Sequence, residues 1–147
     1  MNDLTPTERA YIAGLIDGEG CIWAATKPNG SFAAVLAVNM IHRPTIEWLW
    51  RATGVGFVYK FASQKSRSIP RRQLWRWAAT NAVGAEVLEA VLPYMVTKSL
   101  QAEAYISLMK LRARTKHSGL RSKRDIAGTE HDDLVNMIKY DKKMSFD

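Results

Sequence analysis

Two carboxylates separated by a single glycine stand at the end of a predicted helix, in the run Asp17-Gly18-Glu19-Gly20. Negative charge is unfavourable there, because the C-terminal end of a helix carries a partial negative charge. A magnesium ion would offset the repulsion, since Mg²⁺ binds through a few carboxylates, several retained waters and phosphate oxygens. We therefore predict that Glu19 is a metal ligand, whereas Asp17 also suits a capping or bridging role within the fold.

The same helix carries a stripe of small residues beside its apolar face. The apolar face, which we expect to pack on a sheet, consists of Tyr11, Ile12, Leu15 and Ile16. The small-residue stripe consists of Ala10, Ala13, Gly14, Asp17 and Gly18. A glycine inside a helix costs about 1 kcal/mol relative to alanine, so Gly14 indicates that another backbone comes close. That backbone belongs either to a helix of the same chain or to a second copy, and the pattern alone does not choose between them.

The chain is strongly basic, with a net charge of +7. No acidic residue occurs between Trp48 and Ala85, and a second acid-free run extends from Lys110 to Arg124. The basic residues of the first run are Arg51, Lys60, Lys65, Arg67, Arg71, Arg72 and Arg76. Such runs are also found on solvated faces, but aromatic residues interleaved with them favour nucleic acid as the partner.

Length and composition predict one soluble, intracellular domain. The 147 residues suit a single domain over 1–147, with a core of about 5–114 and a helical C-terminal tail of about 115–147. The one cysteine, Cys21, excludes an intrachain disulfide, and no segment approaches the length of a membrane span. We expect neither a membrane nor a small-molecule substrate as a partner.

The order of predicted elements is helix, hairpin, helix, hairpin, then helices. Thr5 and Glu8 form a capping box that begins the first helix, which we expect to end near Gly18. The predicted strands are Cys21–Lys27, Ser31–Met40, Phe57–Ala62 and Gln73–Ala79. The later predicted helices are Thr45–Thr53, a helix following Asn81 that Pro93 interrupts, Ser99–Arg112 and Glu130–Lys142. This order predicts an α+β fold, in which a four-stranded antiparallel sheet is backed by helices on one face and open on the other.

The end of the first helix resembles a known motif. Six of the nine positions from Ile12 to Gly20 are identical to the motif that names the LAGLIDADG homing endonucleases, and the other three are conservative changes. The resemblance implies an αββαββα saddle with extra C-terminal helices, in which two motif helices pack together as a homodimer. It also implies that Glu19 binds a divalent cation with the carbonyl of Gly18. That cation would be Mg²⁺, or Mn²⁺, or Ca²⁺ in a non-cleaving complex.

A second stretch, Leu92–Gln101, is similar to a less specific part of the same family. The resemblance implies that Lys98 and Gln101 lie near the active site, where Lys98 would stabilise phosphate charge or position a water. The alternative for Lys98 is an ordinary surface lysine. His42, just after the second predicted strand, would be a polar residue of the water network.

The implied reaction is metal-dependent phosphodiester hydrolysis that makes a double-strand break in a long, pseudo-palindromic DNA target. Alternation along the last strand separates Arg72 and Arg76 from Trp75 and Trp77, so we expect the arginines to face DNA and the tryptophans the core. Other predicted DNA contacts are Lys27, Asn29, Ser31, Asn39, Lys60, Lys65, Arg67 and Arg71. The sequence does not decide which face of the third strand Phe57, Tyr59 and Phe61 occupy.

Two other classes of protein remain open. One is a binder of DNA or RNA that has the same fold and does not cleave, such as an intron maturase or a regulator. The other is a basic structural protein of ribonucleoprotein particles, which fits the charge but leaves Gly14 and Glu19 unexplained. The presence of both Glu19 and Lys98 in the sequence favours the nuclease over these two classes.

Overall fold

The computed structural model describes residues 1–26, 32–61, 72–117 and 129–140. The helices are α1 (Pro6–Glu19), α2 (Arg43–Thr53), α3 (Asn81–Val91), α4 (Ser99–His117) and α5 (Thr129–Tyr140), with a short 3-10 turn at Leu92–Tyr94. The strands are β1 (Gly20–Thr26), β2 (Phe32–Met40), β3 (Phe57–Phe61) and β4 (Leu74–Thr80). Every predicted helix and strand is present, with ends that differ by a few residues. The loop predicted from His117 to Gly128 lies almost wholly outside the described residues.

The four strands form one antiparallel sheet in the order β1-β2-β4-β3. Ile22, Leu36 and Trp77 are fully buried on the face that the helices cover. Their neighbours along the strands, such as Trp23 and Arg76, are only partly buried, because side chains alternate between the two faces. The predicted α+β class, with helices on one face of the sheet, is confirmed.

Helix α1 begins with the predicted capping box. The Thr5 hydroxyl accepts a hydrogen bond from the Glu8 N–H, and the Glu8 carboxylate accepts one from the Thr5 N–H at 2.9 Å. The second bond is the main reason that the pKa of the Glu8 carboxyl is lowered. At the other end, a Cβ on Gly20 would overlap the carbonyl of Ile16, so only glycine lets the chain turn directly from α1 into β1.

The face of α1 that packs on the sheet differs from the predicted one. Ile12, Ala13 and Ile16 are fully buried, whereas Tyr11 is 50% exposed and forms a T-shaped contact with the Trp48 ring. A residue advances by about 100° around a helix, which places Ala13 close to Ile16 and turns Tyr11 away from them. The predicted core position of Tyr11 was therefore wrong.

The C-terminal helix packs against the rest of the fold. Helix α5 contacts α4 and β1. At this junction the ring of Phe32 lies under the Arg112 guanidinium, at 3.8 Å, and beside the imidazole of His131. Burial lowers the pKa of Arg112. Within the part of the chain that the structure describes, no helix is long and apolar enough to cross a membrane.

Gly84 offers a test of the packing between α3 and α4. A Cβ there would lie 2.5 Å from the Tyr105 hydroxyl, which is itself fixed because it donates to the Asn81 carbonyl at 3.1 Å. We expect Gly84→Ala to lower the free energy of unfolding by about 1–3 kcal/mol, the usual cost of overpacking. In a Tyr105→Phe background the same change should cost less, because the closest atom is gone. Urea denaturation of the four proteins measures both values, and equal costs in the two backgrounds would contradict this packing.

Candidate functional site

Glu19 is the last residue of α1 and is exposed. Its carboxylate has no hydrogen bond or ion pair with any residue that the structure describes. The next residue, Gly20, pairs with Val38, so the backbone of Glu19 lies at the level of Asn39, where the sheet begins. The chain thus presents one unpaired carboxylate where the motif helix meets the sheet.

Asp17 has a structural role instead. Its two carboxylate oxygens accept hydrogen bonds from the backbone N–H groups of Val96 and Lys98, at 2.7 and 2.9 Å. They tie the end of α1 to the segment that leads into α4. The bridging alternative for Asp17 is therefore confirmed, because both oxygens are bonded to this segment, and its place at a helix–helix contact stays a prediction.

Lys98 caps the C-terminal end of α1. Its ammonium group donates to the carbonyl of Ile16 at 3.1 Å and to the carbonyl of Asp17. A cation is favourable there because it meets the negative end of the helix dipole. Lys98 thus lies at the last turn of the motif helix and is not a free surface lysine, while its place in an active site stays a prediction.

The separate roles of Asp17 and Glu19 can be tested by substitution. An asparagine at position 17 keeps one acceptor oxygen but cannot accept both N–H bonds, which should cost about 1–3 kcal/mol of stability. We expect Asp17→Asn to lower the melting temperature while leaving metal binding intact well below that temperature. Calorimetric titration with Mn²⁺ would measure the latter in the DNA complex. Loss of metal binding in a folded Asp17→Asn protein would show that Asp17 is a ligand after all.

Gln101 and His42 are placed differently from each other. Gln101, one turn after Lys98 in α4, is 4% exposed, and its Oε1 is buried with no hydrogen-bond partner in the described structure. The Nδ1 of His42 lies 2.8 Å from the Thr45 hydroxyl, in a shallow pocket that Tyr11 also lines. Tyr11 precedes Glu19 by eight residues, about 12 Å along a helix. No described hydrogen bond joins His42 to Glu19 or Lys98, so its catalytic role stays a prediction.

The small-residue stripe leaves part of α1 uncovered. Ala10, Gly14 and Gly18 are exposed, and a Cβ built on either glycine meets no atom within 4 Å. Ala13 is fully buried in the subunit, so its predicted place at a dimer contact was wrong. A helix of the same chain, the alternative considered for Gly14, does not cover this face within the described residues.

The open face of the sheet is centred on Arg76. Its Nε donates to the Oδ1 of Asn39 at 2.5 Å, and its Nη1 lies 3.4 Å from the Tyr59 hydroxyl. Trp77 is buried on the opposite face, and Trp75 lies there with Arg43 at 4.4 Å from its ring. The predicted separation of arginine from tryptophan along β4 is confirmed.

The register of β3 settles the orientation that the sequence left open. Tyr59 pairs with Arg76 and Lys60 pairs with Trp75. Phe57, Tyr59 and Phe61 therefore lie on the open face, a placement that the sequence left undecided. Alternation shows that the three share a face, but only the register shows which face. The prediction that Lys60 contacts DNA was wrong. Lys60 lies on the helix side of the sheet, with its ammonium 5.7 Å from the centroid of the Trp75 ring.

The other predicted DNA contacts are mostly not described. Arg72 is exposed just before β4. Six more lie outside the described residues, namely Lys27, Asn29, Ser31, Lys65, Arg67 and Arg71.

A divalent cation fits this site only if the ligands are shared. In the described ranges no group of three or more histidine, cysteine, aspartate or glutamate residues could hold a metal ion. One subunit offers the Glu19 carboxylate and the neighbouring carbonyl of Gly18. Mg²⁺ commonly binds through one or two carboxylates, with waters and substrate phosphates completing its shell. The available donors match that pattern when waters and phosphate oxygens supply the rest.

No family model and no curated protein matches the chain. Solved structures do. The homing endonuclease I-CvuI, in complex with the I-CreI target in the presence of Mg²⁺, superimposes with a TM-score of 0.65 at 20% identity, covering 89% of this chain and 82% of that one. The archaeal intron-encoded homing endonuclease I-Vdi141I, complexed with DNA, gives 0.61 at 13% identity, with 93% and 98% covered.

A third neighbour is longer. The LAGLIDADG meganuclease I-AabMI, bound to uncleaved DNA, gives a TM-score of 0.60 at 18% identity, and the match covers 88% of this chain but only 42% of that one. At sequence identities this low, the superpositions establish a shared fold and no more. The chain therefore has the fold of the LAGLIDADG homing endonucleases, as the resemblance of α1 to their motif predicts.

Proposed function

We propose that this chain is a site-specific, metal-dependent DNA endonuclease that acts as a homodimer and makes double-strand breaks in a long, pseudo-palindromic target. One observation carries the proposal. The unpaired carboxylate of Glu19 ends a helix face on which Gly14 and Gly18 are covered by nothing in the described subunit. Packing that face against its copy would bring two Glu19 carboxylates towards each other.

Comparison of chain lengths supports a two-subunit enzyme. The match covers 98% of I-Vdi141I but 42% of I-AabMI, so this chain corresponds to about half of the longer protein. A contact between identical surfaces is symmetric, which makes the two DNA half-sites related by the same two-fold axis. A pseudo-palindromic target follows from that symmetry.

Three residues of the chain, Glu19, Lys98 and Gln101, have different roles in the proposed site. Glu19 and the carbonyl of Gly18 would hold Mg²⁺, which, when bound, activates a water and stabilises the leaving oxygen. Lys98 fixes the last turn of α1 through the Ile16 and Asp17 carbonyls and adds positive charge beside the phosphate. Gln101 Oε1, which lacks a partner in the described structure, offers an acceptor for an ordered water.

The open sheet face would lie in the major groove. Its central residue, Arg76, is paired with Asn39 and Tyr59 rather than with a carboxylate, so its charge is not neutralised. The exposed Arg72 would meet the phosphate backbone, as would the basic residues of the segment before it.

Selection from a randomised duplex library tests the proposal. The protein is incubated with the library in Mg²⁺ or in EDTA, and the cleaved and the retained duplexes are sequenced separately. We expect cleavage in Mg²⁺ only, with both strands cut at sites that have two-fold symmetry. If symmetric sites are retained but not cleaved, the proposed nuclease activity is wrong and the chain is a non-cleaving DNA binder.

A further inference from the structure

An aromatic strip lies on the open face of the sheet, defined here as Phe57, Tyr59 and Phe61 on the edge strand β3. Phe57 is 51% exposed and Tyr59 is 37% exposed, and their rings stack with centroids 5.7 Å apart. The residue opposite Phe57 is Ala78, and Ala37 follows on the next strand, so no large side chain of these strands covers the ring. The strip is an apolar surface that a partner could bury.

Arg76 is held against this strip in one orientation. Besides its bonds to Asn39 and Tyr59, its guanidinium lies 3.5 Å from the centroid of the Phe61 ring. A guanidinium has five N–H donors in a rigid fork, and these contacts occupy Nε and one hydrogen of Nη1. The remaining donors, on Nη1 and Nη2, match the O6 and N7 acceptors of guanine in the major groove.

The charge of this face favours DNA over a second copy as the occupant. The alternate residues of the four described strands that point to this side include no aspartate or glutamate. Two copies of the face packed together would bring their Arg76 side chains into like-charge contact without a compensating carboxylate. A polyanion meets no such cost.

We propose that this surface selects half-sites in which a guanine read by Arg76 adjoins a short thymine-rich run of about two to three base pairs. Two residue steps separate the exposed rings of Phe57 and Tyr59, about 7 Å of strand and close to the length of two base-pair steps. The ring of Phe61 is covered by Arg76 itself. The C5-methyl of thymine is the apolar group on a major-groove edge, so it is the natural contact for the exposed rings. The inference rests on the proposed function, because it takes duplex DNA as the partner.

Replacing thymine by deoxyuridine in the DNA tests the inference, because this removes the methyl group and leaves the protein unchanged. A fluorescent duplex is made from the sequences that the wild-type protein retains, with uridine at each thymine in turn. We expect affinity to fall about fourfold for each contacted methyl, the usual worth of one buried carbon group. In Phe57→Ser the loss should disappear at the thymines that face position 57. Lys60→Ala, on the opposite side of the same strand, should keep the wild-type pattern.

Arg76→Ala supplies the second arm. It should relax the preference for guanine at one position of each half-site by about 5- to 150-fold. Equal weakening on every sequence would show a phosphate contact and overturn the assignment.

The remaining outcomes separate this inference from the proposed function. If the affinity of the wild-type protein does not depend on the thymine methyl groups, the inference is wrong and the proposed nuclease activity is unaffected. Failure to bind any duplex overturns both. A DNA-free dimer that Phe57→Ser dissociates would identify a second copy as the occupant and also overturn the inference.

Discussion

Glu19→Gln is expected to abolish DNA cleavage and leave DNA binding nearly unchanged. Glutamine has the same size as glutamate but lacks the charge that a divalent cation requires, and Glu19 has no partner among the described residues whose loss could unfold the protein. Losing several kcal/mol of metal-assisted stabilisation corresponds to a rate at least about a thousandfold lower. Binding should survive because the open sheet face keeps all its side chains.

Two controls sharpen this test. Glu103→Gln makes the same chemical change at an exposed position of α4 and should cut like the wild type. Glu19→Asp shortens the side chain but keeps the charge, so it should retain magnesium-dependent cutting. Wild-type cutting rates in Glu19→Gln would remove Glu19 from the mechanism, and loss of DNA binding in that variant would show that the residue acts in recognition instead.

Gly14→Leu is expected to convert the protein from a dimer to a folded monomer. In the subunit the added side chain meets nothing within 4 Å at its Cβ, so folding should be unaffected. At a close helix–helix contact, overpacking costs about 1–3 kcal/mol, and the symmetry of a homodimer counts it twice. The dissociation constant should therefore rise about 30-fold to 25,000-fold, as sedimentation equilibrium would show.

A smaller substitution, Gly14→Ala, distinguishes a glycine on a helix face that stays in water from a glycine at a close helix–helix contact. On a helix face that stays in water, Gly14→Ala should stabilise the protein by about 1 kcal/mol, because alanine has the higher helix propensity. At a close contact it should weaken the dimer instead. Ala82→Leu, at an exposed position of α3, serves as the control and should not change the mass. A wild-type monomer, or a dimer that Gly14→Leu leaves intact, would contradict the proposed interface.

The local parts of the fold were predictable because the signals are local. The capping box at Thr5 and Glu8, the spacing of the strands and the motif at the end of α1 each lie within a few residues. Opposite faces for Arg76 and Trp77 followed from simple alternation. The structure confirms these predictions. They depend on local sequence periodicity and not on residues far away in the chain.

Features that depend on distant partners were not predictable in the same way. The partners of Asp17 are about eighty residues further along the chain, so its bridging role needed the three-dimensional structure to be recognised over other roles. The side of Lys60 depends on the register between β3 and β4, across a long intervening segment. Ala13 was assigned to the exposed stripe because small residues mark both close contacts between helices and tight packing on a sheet.

In the proposed dimer, each of the two subunits contributes one Glu19 to the cutting of one DNA strand. Dimers that contain one wild-type subunit and one Glu19→Gln subunit, purified with two different tags, test it most directly on a supercoiled plasmid carrying the selected site. We expect mixed dimers to nick the plasmid once and stop, whereas wild-type dimers should linearise it. Linearisation by the mixed dimer at the wild-type rate would show that the two Glu19 residues do not each serve one strand.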